Sequence, residues 1–226
     1  MPFQDLPDRL SEIHERIRTA AARGFGQQVT VVAVTKTYGP DAVEAAWSAG
    51  IRDVGENRVQ EALPKREATA ASLNWHLIGH LQRNKVKALD HFELLQSLDS
   101  LRLAQAVDAH GRERGRAVDS LVQVNVSGEG SKGGFAASDL DAAAGELAAM
   151  AGLVVRGVMT MAPFGASETE LRRVFAGARA LRDSLRSAGL PAAELSMGMS
   201  SDYEVAVEEG ATCVRLGTIL FGARAA

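Results

Sequence analysis

One lysine and two runs of small residues are where this sequence could do chemistry. Lys36 directly follows a β-branched run, Val29-Thr30-Val31-Val32-Ala33-Val34-Thr35, which places it at the carboxyl end of a strand. A lysine at a strand end is a solvated charge unless other groups converge on it. Far along the chain the sequence reads Leu195-Ser196-Met197-Gly198-Met199-Ser200-Ser201-Asp202, and then Val214-Arg215-Leu216-Gly217-Thr218. Small residues let main-chain N–H groups approach an oxyanion, and a helix beginning just beyond adds a favourable dipole. Ser200 or Ser201 would supply a hydroxyl, and Gly217 and Thr218 would supply N–H groups. Taken singly, each run reads as a turn followed by an N-cap. Combined with Lys36, they describe a pocket that holds an aldehyde through an amine at one end and a phosphate at the other.

These groups must be brought together by the elements between them. Strand patterns fall at 29–35, 51–54, 74–78, 93–97, 118–126, 153–158, 193–196 and 212–216. Helical patterns lie between them, near 40–49, 57–70, 83–89, 99–114, 138–150, 168–188 and 201–209. An amphipathic helix over 5–23 comes first, with Leu6, Leu10, Ile13 and Ile17 at three- and four-residue steps. Short strands alternating with helices in this number predict an α/β protein, a closed (β/α)8 TIM barrel with an extra N-terminal helix. An open doubly wound sheet is the alternative. In such a barrel functional groups gather at the carboxyl ends of the strands, where Lys36 and both small-residue loops fall. Gly39-Pro40-Asp41 opens the first helix after its strand and Gly50 closes it, while Asp99 and Ser138 read as N-caps and Gly189-Leu190-Pro191 as a stop. No low-complexity linker divides the chain, so one domain is expected over residues 1–226.

Composition excludes several classes. A net charge of -3 argues against a general electrostatic grip on nucleic acid or anionic lipid. No apolar run approaches the ~20 residues that span a bilayer. The N-terminus lacks a signal-peptide pattern, and the lone Cys213 excludes an intramolecular disulfide and fits a reducing cytoplasm. No histidines or carboxylates stand at metal-ligand spacing, so no metal is expected.

The motifs resemble those of the PLP-binding homeostasis proteins, relatives of the alanine racemase barrel that bind pyridoxal 5′-phosphate (PLP). The resemblance covers nearly the whole chain after about residue 29. It rests on AVTKTYGP around Lys36, DVGENRVQE at 53–61, WHLIGHLQRNK at 75–85, VNVSGEGSKGGF at 124–135, RGVMTM at 156–161, LSMGMSSDYEVAVEEGAT at 195–212 and VRLGTILFGAR at 214–224. It implies that Lys36 holds PLP as a Schiff base and that Ser200, Gly217 and Thr218 form the phosphate cup. It also implies that Arg215 faces the pyridine nitrogen, where a permanent cation disfavours a pyridinium and weakens the cofactor as an electron sink. Asn57 is placed near the cofactor, with helix capping as its ordinary role. Met159 is placed beside the ring, with core packing as its ordinary role. His76 and His80 read as hydrogen-bonded structural histidines, with a catalytic role as the alternative. Lys132, in a Gly-rich loop, is a second lysine at the same rim, either a solvated charge or a participant in PLP capture and hand-over.

The function implied is PLP homeostasis: a cytoplasmic carrier, not an enzyme, that holds PLP and releases it to apo forms of PLP-dependent enzymes. It is expected to be a monomer, without nucleic-acid or membrane partners. The rival is an amino-acid racemase, which needs a second base on the opposite face, typically a tyrosine from a second, β-rich domain. Here the only tyrosines are Tyr38, close to Lys36 in the chain, and Tyr203, on the phosphate side.

Overall fold

The computed structural model describes residues 3–129 and 133–222. Its strands are β1 (Thr30–Val34), β2 (Asp53–Glu56), β3 (Asn74–Leu77), β4 (Leu94–Leu98), β5 (Val118–Asn125), β6 (Phe135–Ala136), β7 (Leu153–Met159), β8 (Glu194–Ser196) and β9 (Cys213–Leu216). Pairing runs β4-β3-β2-β1-β9-β8-β7-β5, and a further β4–β5 pairing closes the ring. Every pairing is parallel. Among the described residues β6 pairs only with β5 and lies outside the ring, which leaves the eight barrel strands of the expected (β/α)8 fold.

The helices are α1 (Leu6–Arg23), α2 (Pro40–Ser48), α3 (Val59–Ala68), α4 (Leu101–Glu113), α5 (Ala137–Ala148), α6 (Glu168–Ser187), α7 (Tyr203–Glu208) and α8 (Thr218–Phe221). Leu6, Leu10, Ile13 and Ile17 of α1 are buried, as their spacing requires. This extra helix braces the β8–β9 side of the barrel: Arg16 pairs with Glu204 at 3.2 Å and Arg23 with Glu208 at 2.7 Å. Among the described residues, no helix is long and apolar enough to cross a membrane.

Successive strand residues point to opposite faces. Val31, Ala33, Val54, Leu77, Leu95, Val122, Leu195 and Val214 face outward and join the helices in one continuous core. The inward face is different. Leu94, Leu121 and Met159 form a separate small cluster there. Around it lie buried polar groups, His76, Gln96, Ser196 and Arg215.

Three local expectations change. Residues 83–91 form a 3₁₀ helix whose buried side chains, Val86 and Leu89, stand three apart and so share a face of that tighter helix. The N-cap of α4 is Ser100, not Asp99: its hydroxyl accepts from the Leu103 N–H at 3.3 Å, while the Asp99 carboxylate bonds to His80. α5 is preceded by Ala136 instead of Ser138, whose hydroxyl turns to Asp139.

Candidate functional site

A cleft of about 500 Å³ opens at the carboxyl ends of the strands. Lys36, Asn57, Arg215, Gly217 and Thr218 all line it. Ser200 is not on its wall. The Ser200 hydroxyl accepts from the Ile219 N–H at 3.3 Å and so ties the β8–α7 loop to α8. Met159 lies one layer below, buried with Leu94 and Leu121. Met161, two residues on and therefore on the same face, is the methionine that lines the cleft. Lys132 lies outside the described residues.

The lysine side is held from beneath. Lys36 is half-buried, two residues past the end of β1. Thr35, just before it, donates its hydroxyl to Glu56 Oε1 at 2.6 Å. Lys65 Nζ donates to the same oxygen at 2.6 Å and to the Thr35 carbonyl at 2.8 Å. Thr35 is thereby fixed through both side chain and main chain. Glu56 is wholly buried and Lys65 nearly so, and burial pushes the Glu56 carboxyl above its ordinary range despite these bonds. The turn that follows takes Thr37 into the left-handed region, with φ at 69°. The Tyr38 hydroxyl donates to the Gly222 carbonyl at 3.0 Å, and its ring packs edge-on against Phe3. Asn57 does not cap α3, whose N-cap is Arg58. Its main chain is instead pressed against Gly79, where an added Cβ would lie 2.3 Å from the Asn57 carbonyl oxygen.

The arginine side is drier. Arg215 is only 4% exposed. Its Nη1 donates to Ser196 Oγ at 2.6 Å and its Nη2 to the Thr160 carbonyl at 2.9 Å. Both acceptors are neutral. Burial lowers the Arg215 pKa, but a guanidinium remains protonated at neutral pH. The Asp202 carboxylate accepts from the Met199 N–H at 2.6 Å rather than from the guanidinium, and its charge acts on Arg215 without a hydrogen bond. At the rim His80 Nδ1 lies 2.8 Å from Asp99 Oδ2, and both residues line the cleft. His76 lies in the barrel interior, bonded to Gln96 and Asp53.

The glycines separate packing from access. Gly198 has a φ of +93°, and an added Cβ would come within 2.7 Å of Ala206 Cβ, so the fold itself needs glycine there. At Gly217 an added Cβ would meet, among the described residues, nothing nearer than the Val34 carbonyl oxygen at 3.5 Å, an ordinary contact. Packing does not demand a glycine at 217, and its main chain forms bare wall in the cleft.

Residues 9–225 match the family model described as the alanine racemase N-terminal domain. The chain is 41% identical to the pyridoxal phosphate homeostasis protein of Pseudomonas aeruginosa, over 97% of this chain and 96% of that one. It is 40% identical to the protein of the same name from Aquifex aeolicus, over 96% and 97% of the two chains. The chain belongs to the pyridoxal phosphate homeostasis protein family. Among solved structures it is similar to PipY of Synechococcus elongatus with PLP bound, with a TM-score of 0.85 and 37% identity over 96% of this chain and 100% of that one.

The residues present fit PLP: a lysine amine for its aldehyde, a bare main-chain wall at the start of α8 for its phosphate, and between them a cleft lined by a permanent cation. Sequence reasoning missed the groups that position these. Ser196, Glu56 and Lys65 touch Lys36's turn or Arg215 without lining the cleft. The period of two in β8 carried one readable sign, since Ser196 must face opposite to Leu195.

Proposed function

We propose that this protein binds PLP in the cleft, holds it through Lys36 as a Schiff base, and releases it to apo forms of PLP-dependent enzymes, as a homeostasis protein without strong turnover. The observation that carries this reading is the convergence of Lys36, Arg215 and the Gly217–Thr218 wall on one cleft. Lys36 supplies an amine that reacts in its unprotonated form. Ser200, Gly217 and Thr218 hold the phosphate, with Ser200 acting through its tie to Ile219. Asn57 flanks the ring, and Met161 takes the place beside it that the sequence suggested for Met159.

Arg215 directs a charged guanidinium at the ring nitrogen and keeps a proton off it. When bound, the cofactor supplies an electrophilic aldehyde and an electron-withdrawing ring, and the arginine curbs the second of these. The two tyrosines of the chain are committed elsewhere: Tyr38 bonds to Gly222, and Tyr203 is buried in the main core. In this reading the protein acts as a cytoplasmic monomer and as one PLP-binding unit.

One observation favours a second reading. The His80–Asp99 pair lines the cleft and is the kind of oriented imidazole that serves as a base. An amino-acid racemase would use it opposite Lys36.

Absorbance tests PLP binding, and proton exchange separates the two readings. The protein reconstituted with PLP is expected to be yellow, and Lys36→Ala is expected to abolish that band while the fold survives. Incubation with alanine or serine in D2O is expected to leave the α-proton unexchanged. Rapid exchange that is lost in His80→Ala would establish the racemase instead, and a protein that takes up no PLP would end both readings.

A further inference from the structure

Behind the cleft a chain of hydrogen bonds crosses the barrel. Arg215 Nη1 donates to Ser196 Oγ at 2.6 Å, and the Ser196 hydroxyl donates to Gln96 Oε1 at 2.6 Å. Gln96 Nε2 lies 2.8 Å from His76 Nδ1, and His76 Nε2 lies 3.1 Å from Asp53 Oδ1. Ser196 and Gln96 are 0% exposed, Arg215 4% and His76 7%. The members come from β9, β8, β4, β3 and β2, so the chain joins opposite walls of the ring.

Its direction is fixed by the chemistry of its ends. A guanidinium only donates, so the Ser196 oxygen accepts and its single hydrogen passes on to Gln96. The Gln96 carbonyl is then committed to Ser196, and its amide hydrogens face His76 and, at 4.0 Å, Cys213 Sγ. His76 Nδ1 accepts, so its hydrogen is on Nε2 and points at Asp53, which as a carboxylate only accepts. Burial pushes the Asp53 carboxyl up, but the bonds from His76 and Asn74 outweigh it and hold the group below its ordinary value. A cation at the cleft and an anion on β2 thus terminate a chain in which every donor points the same way. Turning any one member over would set donor against donor or acceptor against acceptor.

We propose that Gln96 and His76 are positioning residues for Arg215. They hold its guanidinium in one orientation at the cleft although neither lines it. Ser196 alone could not do this, because a hydroxyl turns freely about its C–O bond; the Gln96 carbonyl stops that rotation, and His76 stops the Gln96 amide from flipping. The consequence for the bound cofactor rests on the reading that the cleft holds PLP with Arg215 at its ring nitrogen.

The test uses the full chain carrying Gln96→Met, which keeps length without hydrogen-bonding groups, and Ser196→Ala, with Ser196→Thr as the conservative variant. In the ligand-free protein, hydrogen exchange of the Arg215 side-chain N–H groups, assigned by their absence in Arg215→Lys, is expected to quicken about tenfold in the first two variants and not in Ser196→Thr. In the PLP-loaded protein the same two variants are expected to retain the lysine linkage, trapped by borohydride, while the absorption band shifts and PLP release quickens about tenfold. Folded variants with unchanged exchange, band and release would overturn the proposal. So would failure of both Gln96→Met and Ser196→Ala to fold, which would make the chain a folding element only. A wild-type protein that takes up no PLP refutes the function proposed above, while the exchange measurement still decides the positioning of Arg215.

Discussion

The two cations of the cleft are held in opposite ways. Lys36 stands half-exposed above a buried ion pair: Glu56 and Lys65 are only nine residues apart and together clamp the hydroxyl and carbonyl of Thr35. Arg215 is buried itself and among the described residues its guanidinium donates to neutral acceptors, while the carboxylate that ends its hydrogen-bond chain, Asp53, is separated from it by three residues of that chain. The difference matches the roles proposed for the two groups. The lysine side needs a firm base under an amine that stays accessible. The arginine side needs an undiminished positive charge pointing into the cleft, and a carboxylate directly on the guanidinium would cancel that field. Under the lysine turn a carboxylate is hydrogen-bonded to its own cation, whereas the Asp202 charge acts on the arginine without a hydrogen bond to it.

Breaking the lysine side is expected to have the largest effect. Lys65→Met leaves the Glu56 carboxylate buried without its cation, and Oε2 of that carboxylate already has no hydrogen-bond partner among the described residues. Removing one member of a buried pair costs about 3–5 kcal/mol, and chemical denaturation should show a loss of that size. The double variant Lys65→Met with Glu56→Met should recover most of it, because an apolar pair of similar volume packs without the desolvation cost. A single variant as stable as the parent would show that the pair does not support Lys36's turn.

The arginine side is expected to break next at Gly198. Alanine there would be forced into a left-handed conformation and against Ala206 and the Tyr203 Cα, which lies 2.9 Å from the added carbon. Left-handed strain and overpacking together should cost about 2–4 kcal/mol in an unfolding titration. The Gly198 carbonyl accepts from the Arg215 N–H at 3.0 Å, so the same change should also loosen PLP binding.

Much of the molecule was legible because local signals agreed. The β-branched run before Lys36, the Gly39-Pro40 start of α2 and the spacing of Leu6, Leu10, Ile13 and Ile17 each depend on near neighbours, and each element formed where its pattern lay. The cleft residues were legible for a related reason, since they end strands whose positions were already fixed. What stayed hidden depends on distant partners. Gln96 reads as an ordinary polar residue in a strand until Ser196, one hundred positions away, closes over it. Lys65 reads as a solvated lysine on a helix until the Thr35 carbonyl covers it. The displaced cap at Asp99 has the same origin: two good capping residues are adjacent, and His80 claims the first. Met159 and Met161 share one face, and only the height of the cleft above β7 distinguishes them.

The dryness of the arginine side can be measured through Cys213. This thiol lies two residues before Arg215 on the same inward face, and burial pushes its pKa up to about 11 from an ordinary 9.0. The folded chain therefore keeps its proton across that interval while the unfolded chain releases it, so stability should fall as pH rises from 9.0 to about 11. The loss should reach about 2–3 kcal/mol at the top of the interval and be absent in Cys213→Ala. Equal slopes for the two proteins would mean that water reaches the thiol and that the arginine side is wetter than its hydrogen bonds imply.

The smallest effect on the fold should come from Gly217→Ala, and there the comparison becomes sharpest. The added carbon meets only Val34 at an ordinary distance, so the unfolding free energy should change by no more than about 1 kcal/mol. Yet the same carbon would project from the wall that is proposed to receive the phosphate, beside Thr218. PLP should still react with the lysine, because nothing at that end has changed, but its retention should fall about tenfold, as for the loss of one hydrogen bond to a charged group. Equilibrium dialysis of the variant alongside the parent measures this directly. Undiminished retention would place the phosphate elsewhere and leave Gly217 as an ordinary turn residue.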